Sequence, residues 1–564
     1  MTLITQAFNL SGLKRTYLLS FFLILLTLIV FIRVPFFDFV ILEDTTHLDT
    51  HPHFTDPNPK QILEMWKKPF LNYPPLTYTL WGVSAFLSSP KPLSEMSHSQ
   101  TGVLKDFRFQ PVIFHSLPLL FHLGTVFLVF WLFCFLTSHP LGSFFGALLF
   151  AIHPVQVESV AWVSSLKEPL GGFLGVLASM LFLIGEETPP RSKTFKFLFT
   201  LSTGVFLLSL LSNPSSIAFP LILLAILFFL YKKERFIHGA KGLVVWILIA
   251  LPFFTISNQS LPWSHSTPPH LILKEKVLLA LDSLSFYFSK IVLPIHLGVD
   301  YGRTPEWVLN DTSIHTTAAL FFVFLLALTL FLRWYKIQWA LASGSLFICA
   351  LLPVFVLNRK VFQASSSVAD RDLYLALLGA SLAVAFLIKY FSQKTWVTLG
   401  LTLFLVALGT RSYFQTGYWK NSMRLLTHAL EINSESSIAH YSLGYYYERE
   451  ESYDKAISHY QAAGALDPQI ANFHRLGEIY LVLKQFDQAK YHFEQALLLN
   501  PLSSSSYQGL GLSYLGLGNR LLAQDNFAKA NALSTRTLAS SNILRSYARE
   551  KTLSRKSNKH RKSK

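Results

Sequence analysis

Long apolar stretches broken by short charged clusters fill the first 412 residues of this 564-residue chain, and a regular repeat fills most of the remainder. The apolar stretches lie at 17–34, 112–136, 141–152 with its flanks, 169–184, 195–212, 215–231, 240–257, 314–333, 337–357, 373–390 and 394–411. Each approaches the ~20 residues that a helix needs to cross a bilayer. The pattern therefore predicts about eleven spans. The segment 275–297 is apolar too, but Lys274, Glu275, Lys276, Asp282 and Lys290 mark it as interfacial or re-entrant. If it does not cross, Lys14/Arg15, RSKTFK, YKKERFIHGAK, RWYK and KYFSQK all fall on one side, which the positive-inside bias makes the cytoplasm. The loop 35–111 and the whole C-terminal part then lie outside the cytoplasm. The run from Tyr17 to Val34 follows Lys14 and Arg15 as a signal peptide would, but no small-residue cleavage site follows, so it reads as a retained first span.

From Ser437 the chain repeats at a spacing of 33 to 34 residues. Leu443-Gly444, Tyr447, Ala456, Tyr460, Ala463 and Pro468 are answered by Leu476-Gly477, Tyr480, Ala489, Phe493, Ala496 and Pro501. A third copy has Leu510-Gly511, Tyr514, Ala523, Phe527 and Ala530. These are tetratricopeptide repeats. Small residues let paired helices approach, aromatic rings fill the gap, and proline ends the second helix. Trp419 to Ile432 reads as the second helix of a partial repeat running directly out of the last span, which predicts an array docked rather than tethered. The expected organisation is a membrane domain over 1–412, repeats over 413–540 (partial 413–436, then 437–469, 470–503 and 504–537) and a basic disordered tail over 541–564. Such arrays usually bind a protein or peptide in their concave face.

Composition agrees: 51% of residues are hydrophobic and 14% charged, against ~25% charged in soluble proteins. The net charge of +16 comes largely from short loops and the terminal SRKSNKHRKSK, a tail suited to anionic headgroups, and no nucleic-acid motif accompanies it. Cys134 and Cys349, the only cysteines, both fall in predicted spans, which argues against a disulfide or a cysteine-based zinc site.

The candidate chemistry lies where charge interrupts the apolar pattern. AIHPVQVESVAWVSSLKEPL (151–170) places His153, Glu158, Lys167 and Glu168 between two spans, and ionisable groups at membrane depth mark functional sites by default. Just after the first span, VILEDTTHLDTHPHF puts Glu43 and Asp44 at the outer leaflet. One carboxylate can take the proton of an attacking hydroxyl while the other orients it; a solvated loop would carry the same pair. Tyr73 and Pro75 end the loop, and His115 and His122 share a helix face at a spacing of seven, reading as a polar, cavity-facing stripe rather than a metal site. Asp370, Arg371 and Asp372 stand at the mouth of a later span, where Arg371 either holds a phosphate or snorkels to the interface. No metal and no cofactor is expected.

These motifs carry a resemblance. VILEDTTHLDTHP, NYPPLT, AIHPVQVESVAWVSSLKE, LDSLSFYFSKIVLPIHLGVDY and ADRDLYLALLG resemble, over nearly the whole chain, the transmembrane and tetratricopeptide-repeat O-mannosyltransferases and their bacterial relatives in the C-type glycosyltransferase (GT-C) superfamily. The resemblance implies an all-α fold: a polytopic GT-C-like helix bundle followed by a tetratricopeptide α-solenoid. It implies a polyprenyl-phosphate-linked sugar as donor, mannose in the best-known members, and a serine or threonine hydroxyl of an exported protein as acceptor. Asp44 or Glu43 would be the base or its partner, His153 and Glu158 would shape the donor site, and Arg371, flanked by Asp370, or Lys167 would hold the lipid phosphate. Direct displacement would invert the anomeric centre. The chain departs from the pattern at Glu43 (usually aspartate), Pro74, Pro118 and Asn213, and the extra methylene at position 43 moves a carboxylate by about 1 Å, which matters for a positioned base.

The sequence thus reads as a membrane protein O-glycosyltransferase whose repeats recruit an acceptor or partner protein, in a bacterial cytoplasmic membrane or, with the same topology, the endoplasmic reticulum. The alternative is a non-catalytic scaffold anchoring a protein-binding array. A transporter would show internally repeated halves with broken helices, and none is legible.

Overall fold

A computed structural model describes residues 10–44, 48, 58–67, 74–88, 99–101, 108–190, 192–260, 271–357 and 366–534; the basic tail over 541–564 lies outside them. The chain divides into two compact units, Met1–Glu95 with Phe107–Ser434, and Met96–Asp106 with Glu435–Lys564.

The first unit contains α1 (Leu10–Phe31), α2 (Pro59–Glu64), α3 (Pro75–Leu87), α4 (Pro111–Thr137), α5 (Pro140–Ile152), α6 (Val157–Ala161), α7 (Lys167–Glu186), α8 (Lys193–Ser212), α9 (Phe219–Leu230), α10 (Lys233–Ser260), α11 (Leu273–Val292), α12 (Pro305–Asn310), α13 (Thr312–Trp334), α14 (Gln338–Leu357), α15 (Leu373–Phe391), α16 (Thr395–Thr416) and α17 (Ser422–Ile432). Several begin as their sequences dictate. Proline opens α3, α4 and α5, where a missing N–H costs nothing, and the side chains of His139, Ser192 and Asn421 cap α5, α8 and α17.

Among the described residues nine helices are long and apolar enough to cross a membrane, ten if the bent pair Pro140–Ile152 and Pro154–Ala161 is one span; Pro214–Leu230 is a shorter apolar stretch. Together they account for all eleven apolar stretches of the sequence. The charged α11 is not among them. The chain is a multi-pass membrane protein.

Packing is close where α5 crosses α15. A Cβ on Gly146 would lie 2.4 Å from the Ser381 carbonyl oxygen, so only glycine permits that approach. Small residues at such crossings are how spans associate where lipid removes the hydrophobic drive. At the periphery, α13 buries only Ile314 and Ala318 and turns Leu320, Phe322 and Val323 outward, as a lipid-facing helix should.

The second unit holds α18 (Ser437–Arg449), α19 (Tyr453–Leu466), α20 (Ile470–Val482), α21 (Phe486–Leu499), α22 (Ser504–Gly516) and α23 over 520–534, paired as helical hairpins. The repeated Gly-aromatic pairs of the sequence meet in each. A Cβ on Gly444, Gly477 or Gly511 would lie 2.7–2.8 Å from the ring of Tyr460, Phe493 or Phe527. Residues 99–101 of the long loop also belong to this unit, and Thr101 hydrogen-bonds Glu448.

One boundary differs from the sequence reading. The partial repeat over 413–436 contains α17, which clusters with the membrane unit up to Ser434. Leu425, Leu426 and Ala429 are buried there, and His428 Nε2 lies 3.0 Å from the Leu297 carbonyl. Side-chain pattern makes α17 look like a repeat helix; its partners make it part of the membrane unit.

Candidate functional site

The break between α5 and α6 builds the site. Pro154 lacks an N–H, so the helix cannot continue through it, and the axis bends by 49°. Non-helical backbone at membrane depth is tolerated only if its polar groups are satisfied. His153 does this: its Nδ1 accepts from Val155 N at 3.3 Å and its Nε2 lies 3.0 Å from the Ile291 carbonyl, which fixes the neutral tautomer with the proton on Nε2. His153 therefore staples the break to α11 instead of facing a ligand.

After α1 the chain forms a strap over 37–42 that turns at Ile41 and Leu42. Asp38 N donates to Lys420 O at 3.0 Å and Ile41 N to Ser422 Oγ at 3.0 Å. The strap delivers Asp44 to the far side of the break. There Ser164 N donates to Oδ1 at 3.1 Å, Ser164 Oγ donates to the same oxygen, and Val40 N donates to Oδ2 at 3.1 Å. Asp44 is fully buried, and burial raises its pKa from 3.8 to about 7 against the opposing pull of those donors, with Glu43 adding a smaller upward push. Glu43 is half-buried. Phe39 of the strap packs with Tyr78, Trp81, Phe114, Val163 and Leu166 in one apolar cluster that anchors it.

Arg371 and Glu158 meet at 2.6 Å with side chains 5% and 2% exposed, and the guanidinium lies 5.3 Å from the Trp162 ring. Glu43, Asp372 and Glu168 all bear electrostatically on Arg371. Two tyrosines hold the turn that carries it. Tyr301 OH donates to Asp370 Oδ1 at 2.6 Å while accepting from Gly298 N, and Tyr287 OH donates to Asp372 Oδ2 at 2.9 Å. Burial and these carboxylates hold both phenols well above the ordinary tyrosine range, so they act as donors.

The structure thus brings Glu43, Asp44, Glu158, Asp370 and Arg371 into one region. Lys167 heads α7 half-buried, with no ion pair among the described residues. His115 and His122 share a face of α4 but serve different neighbours. His115 Nε2 lies 3.3 Å from the Asp38 carbonyl, whereas His122 bridges the Tyr374 hydroxyl and the Ala151 carbonyl, each at 3.0 Å. Both are buried staples, not a cavity-facing stripe. Tyr73 lies outside the described residues. No three His, Cys, Asp or Glu among the described residues are grouped as a metal site would require.

Sequence reasoning missed Ser164, Tyr287 and Tyr301. All three sit inside the motifs VSSLKE, SFYFSK and GVDY, but nothing local says that their hydroxyls reach carboxylates 69 to 120 residues away.

Tetratricopeptide repeat models match residues 438–470 and 471–503. Protein O-mannosyl-transferase TMTC3 of Homo sapiens is 24% identical over 467 residues, covering 73% of this chain and 48% of that protein. Protein O-mannosyl-transferase F38B6.6 of Caenorhabditis elegans is 24% identical over 314 residues, 54% of this chain and 42% of its own. Protein O-mannosyl-transferase Tmtc3 of Drosophila melanogaster is 22% identical over 422 residues, 64% and 44%. The chain spans about half the length of the curated relatives it matches. Among solved structures, the crystal structure of the APC/C hetero-tetramer Cut9-Hcn1 covers 76% of this chain and 93% of that one at 12% identity, with a TM-score of 0.20, too low to argue from. Helices that pair as repeats and relatives that match over as much as 73% of the chain together bear out the resemblance to the transmembrane and tetratricopeptide-repeat O-mannosyltransferases.

Proposed function

We propose that the chain is a membrane glycosyltransferase that moves a sugar, mannose being the first to test, from a polyprenyl-phosphate carrier to serine or threonine hydroxyls of exported proteins. The observation that carries this reading is the convergence of the acidic strap and the buried Arg371–Glu158 pair, in a chain whose relatives are named protein O-mannosyl-transferases.

The geometry supports a division of labour between the two strap carboxylates. Both oxygens of Asp44 already accept from the protein, and its carboxyl is fully buried. Glu43 is more exposed and shares the electrostatic field of Arg371. Glu43 is then the base an acceptor hydroxyl can reach, and Asp44 positions it. In the reaction the hydroxyl oxygen bonds to the anomeric carbon, its proton passes to the Glu43 carboxylate, and the bond from that carbon to the phosphate oxygen breaks with its electron pair leaving on the lipid phosphate. Arg371 or Lys167 steadies that anion. Attack opposite the leaving group inverts the anomeric centre. The repeats bind the acceptor or a partner on the extracytoplasmic side.

A scaffold reading is favoured by one fact: Arg371 is already neutralised by Glu158. Transfer of radiolabelled mannose from polyprenyl-phosphate-mannose to endogenous membrane proteins separates the two. Label that disappears in both Glu43→Gln and Asp44→Asn supports the transferase. No label from a well-folded preparation with mannose or other sugar donors would leave the scaffold.

A further inference from the structure

An open cavity of about 520 Å³ lies in the membrane unit where the first and last spans end, its lining including Arg33, Phe414, Gly417, Tyr418, Arg424, His428 and Glu431. The candidate site does not use it. Arg33 reaches across the end of α16: its Nε donates to Thr416 Oγ1 at 2.9 Å, its Nη2 donates to the Tyr413 carbonyl, and its guanidinium lies 4.0 Å from the Tyr413 ring. Nη1 keeps both of its protons for something else. Gly417 lies against this guanidinium, a Cβ built there standing 3.4 Å from Nη2. Arg424, in the first turn of α17, is exposed, and neither arginine has an ion pair among the described residues. Glu431, the carboxylate of the lining, is engaged by His428 Nδ1 at 3.0 Å, and that imidazole is stacked on Tyr418 with ring centres 3.6 Å apart.

Two unpaired guanidinium groups in an open cleft at the end of a span sit where lipid headgroups are. The adjoining surface is apolar: Ile29, Ile32 and Phe36 on the α1 side and Phe414 on α16 are 54%, 60%, 73% and 64% exposed. A soluble anion would not need that surface; acyl or isoprenoid chains would. We propose that this cleft binds the phosphate of a membrane lipid, with Arg424 and Nη1 of Arg33 on its oxygens and its chains along Ile29, Ile32 and Phe414. Forked donors suit phosphate better than a point charge does. Gly417, Tyr418 and Arg424 line the cleft, and Lys420 O and Ser422 Oγ, between them in the chain, pin the strap, so a bound lipid steadies the segment that carries Glu43 and Asp44.

Native mass spectrometry of the full chain, titrated with phosphatidylglycerol or phosphatidylcholine, tests this without any transferase assay, so its outcome is separate from that of the proposed reaction. Phosphatidylglycerol should bind in preference to phosphatidylcholine. Arg424→Gln should weaken it about tenfold, the worth of one charge-assisted contact, and the double variant with Arg33→Gln should erase the preference. Arg424→Gln removes no side-chain hydrogen bond or ion pair among the described residues, so its melting temperature should match that of the unaltered chain. Lys232→Gln, an exposed cation outside the cleft, should change nothing. Adding polyprenyl phosphate distinguishes the sources: one-for-one displacement assigns the cleft to the carrier lipid, and none assigns it to glycerophospholipid. Unchanged phosphatidylglycerol binding in the arginine variants, or an equal loss in Lys232→Gln, would overturn the proposal.

Discussion

Asp44 and Ser164 are joined twice across 120 residues of chain: the backbone N–H and the hydroxyl of Ser164 both donate to Asp44 Oδ1, while Val40 N donates to Oδ2. The loop after the first span is thereby locked to the turn that follows the broken span.

This lock predicts how Asp44→Asn behaves. An amide offers one oxygen, so its NH2 must face either Val40 N–H or the Ser164 donors. The loss of a hydrogen bond to a buried charge is worth ~1.5–3 kcal/mol. Thermal unfolding in detergent should show a drop of about that size, and Asp44→Ala should do no better. An Asp44→Asn protein as stable as the original would mean that the lock is not formed in solution.

A pH dependence follows with a definite sign. Asp44 has a folded pKa of about 7 against 3.8 for the free side chain, so between those values the folded chain binds more protons than the unfolded one. Stability from this group therefore falls as pH rises from about 4 to about 7 and flattens above. Chemical denaturation across that range should show a downward slope that Asp44→Asn lessens. Ser164→Ala removes a donor that favours the charged form and should move the inflection to higher pH; an inflection moved downward would contradict the assignment.

Arg371 and Glu158 should be coupled energetically. Removing one partner of a buried ion pair strands the other, at a cost of about 3–5 kcal/mol. Arg371→Gln and Glu158→Gln should each destabilise the membrane unit by that order. The double variant should recover part of the loss, as read by tryptophan fluorescence during denaturation. Additive losses would indicate that each side chain has a better partner than the other.

In the repeat unit, Phe493 is fully buried, and its ring lies 2.7 Å from the Cβ position of Gly477 and 2.3 Å from that of Gly509. Phe493→Ala opens a cavity between two repeats and should cost about 3–5 kcal/mol. Limited proteolysis of the full chain should then cut within α20 to α22 while the membrane helices stay protected. Resistance equal to that of the unaltered protein would mean that neighbouring repeats close the gap.

The apolar stretches and the repeats were legible in the sequence because both are local signals. A span needs only length and hydropathy, and the Leu-Gly, aromatic and alanine positions of a repeat recur at a fixed spacing whatever lies around them. The charged residues of 151–170 and 370–372 were legible as exceptions, since membrane depth makes any ionisable group conspicuous. Their partnerships were not. Arg371 chooses Glu158 across 213 residues and Asp44 chooses Ser164 across 120, choices made by how α5, α6 and α15 pack. For the same reason His153 reads in sequence as a donor-site residue and His115 and His122 as a cavity-facing stripe, whereas all three serve as staples in the structure: a histidine's role is set by what its nitrogens meet, and only the tertiary fold supplies the carbonyls of Ile291, Asp38 and Ala151. The chain's pattern determined which segments are helices and which enter the membrane; long-range packing alone decided which polar groups are spent on holding the fold and which remain for chemistry.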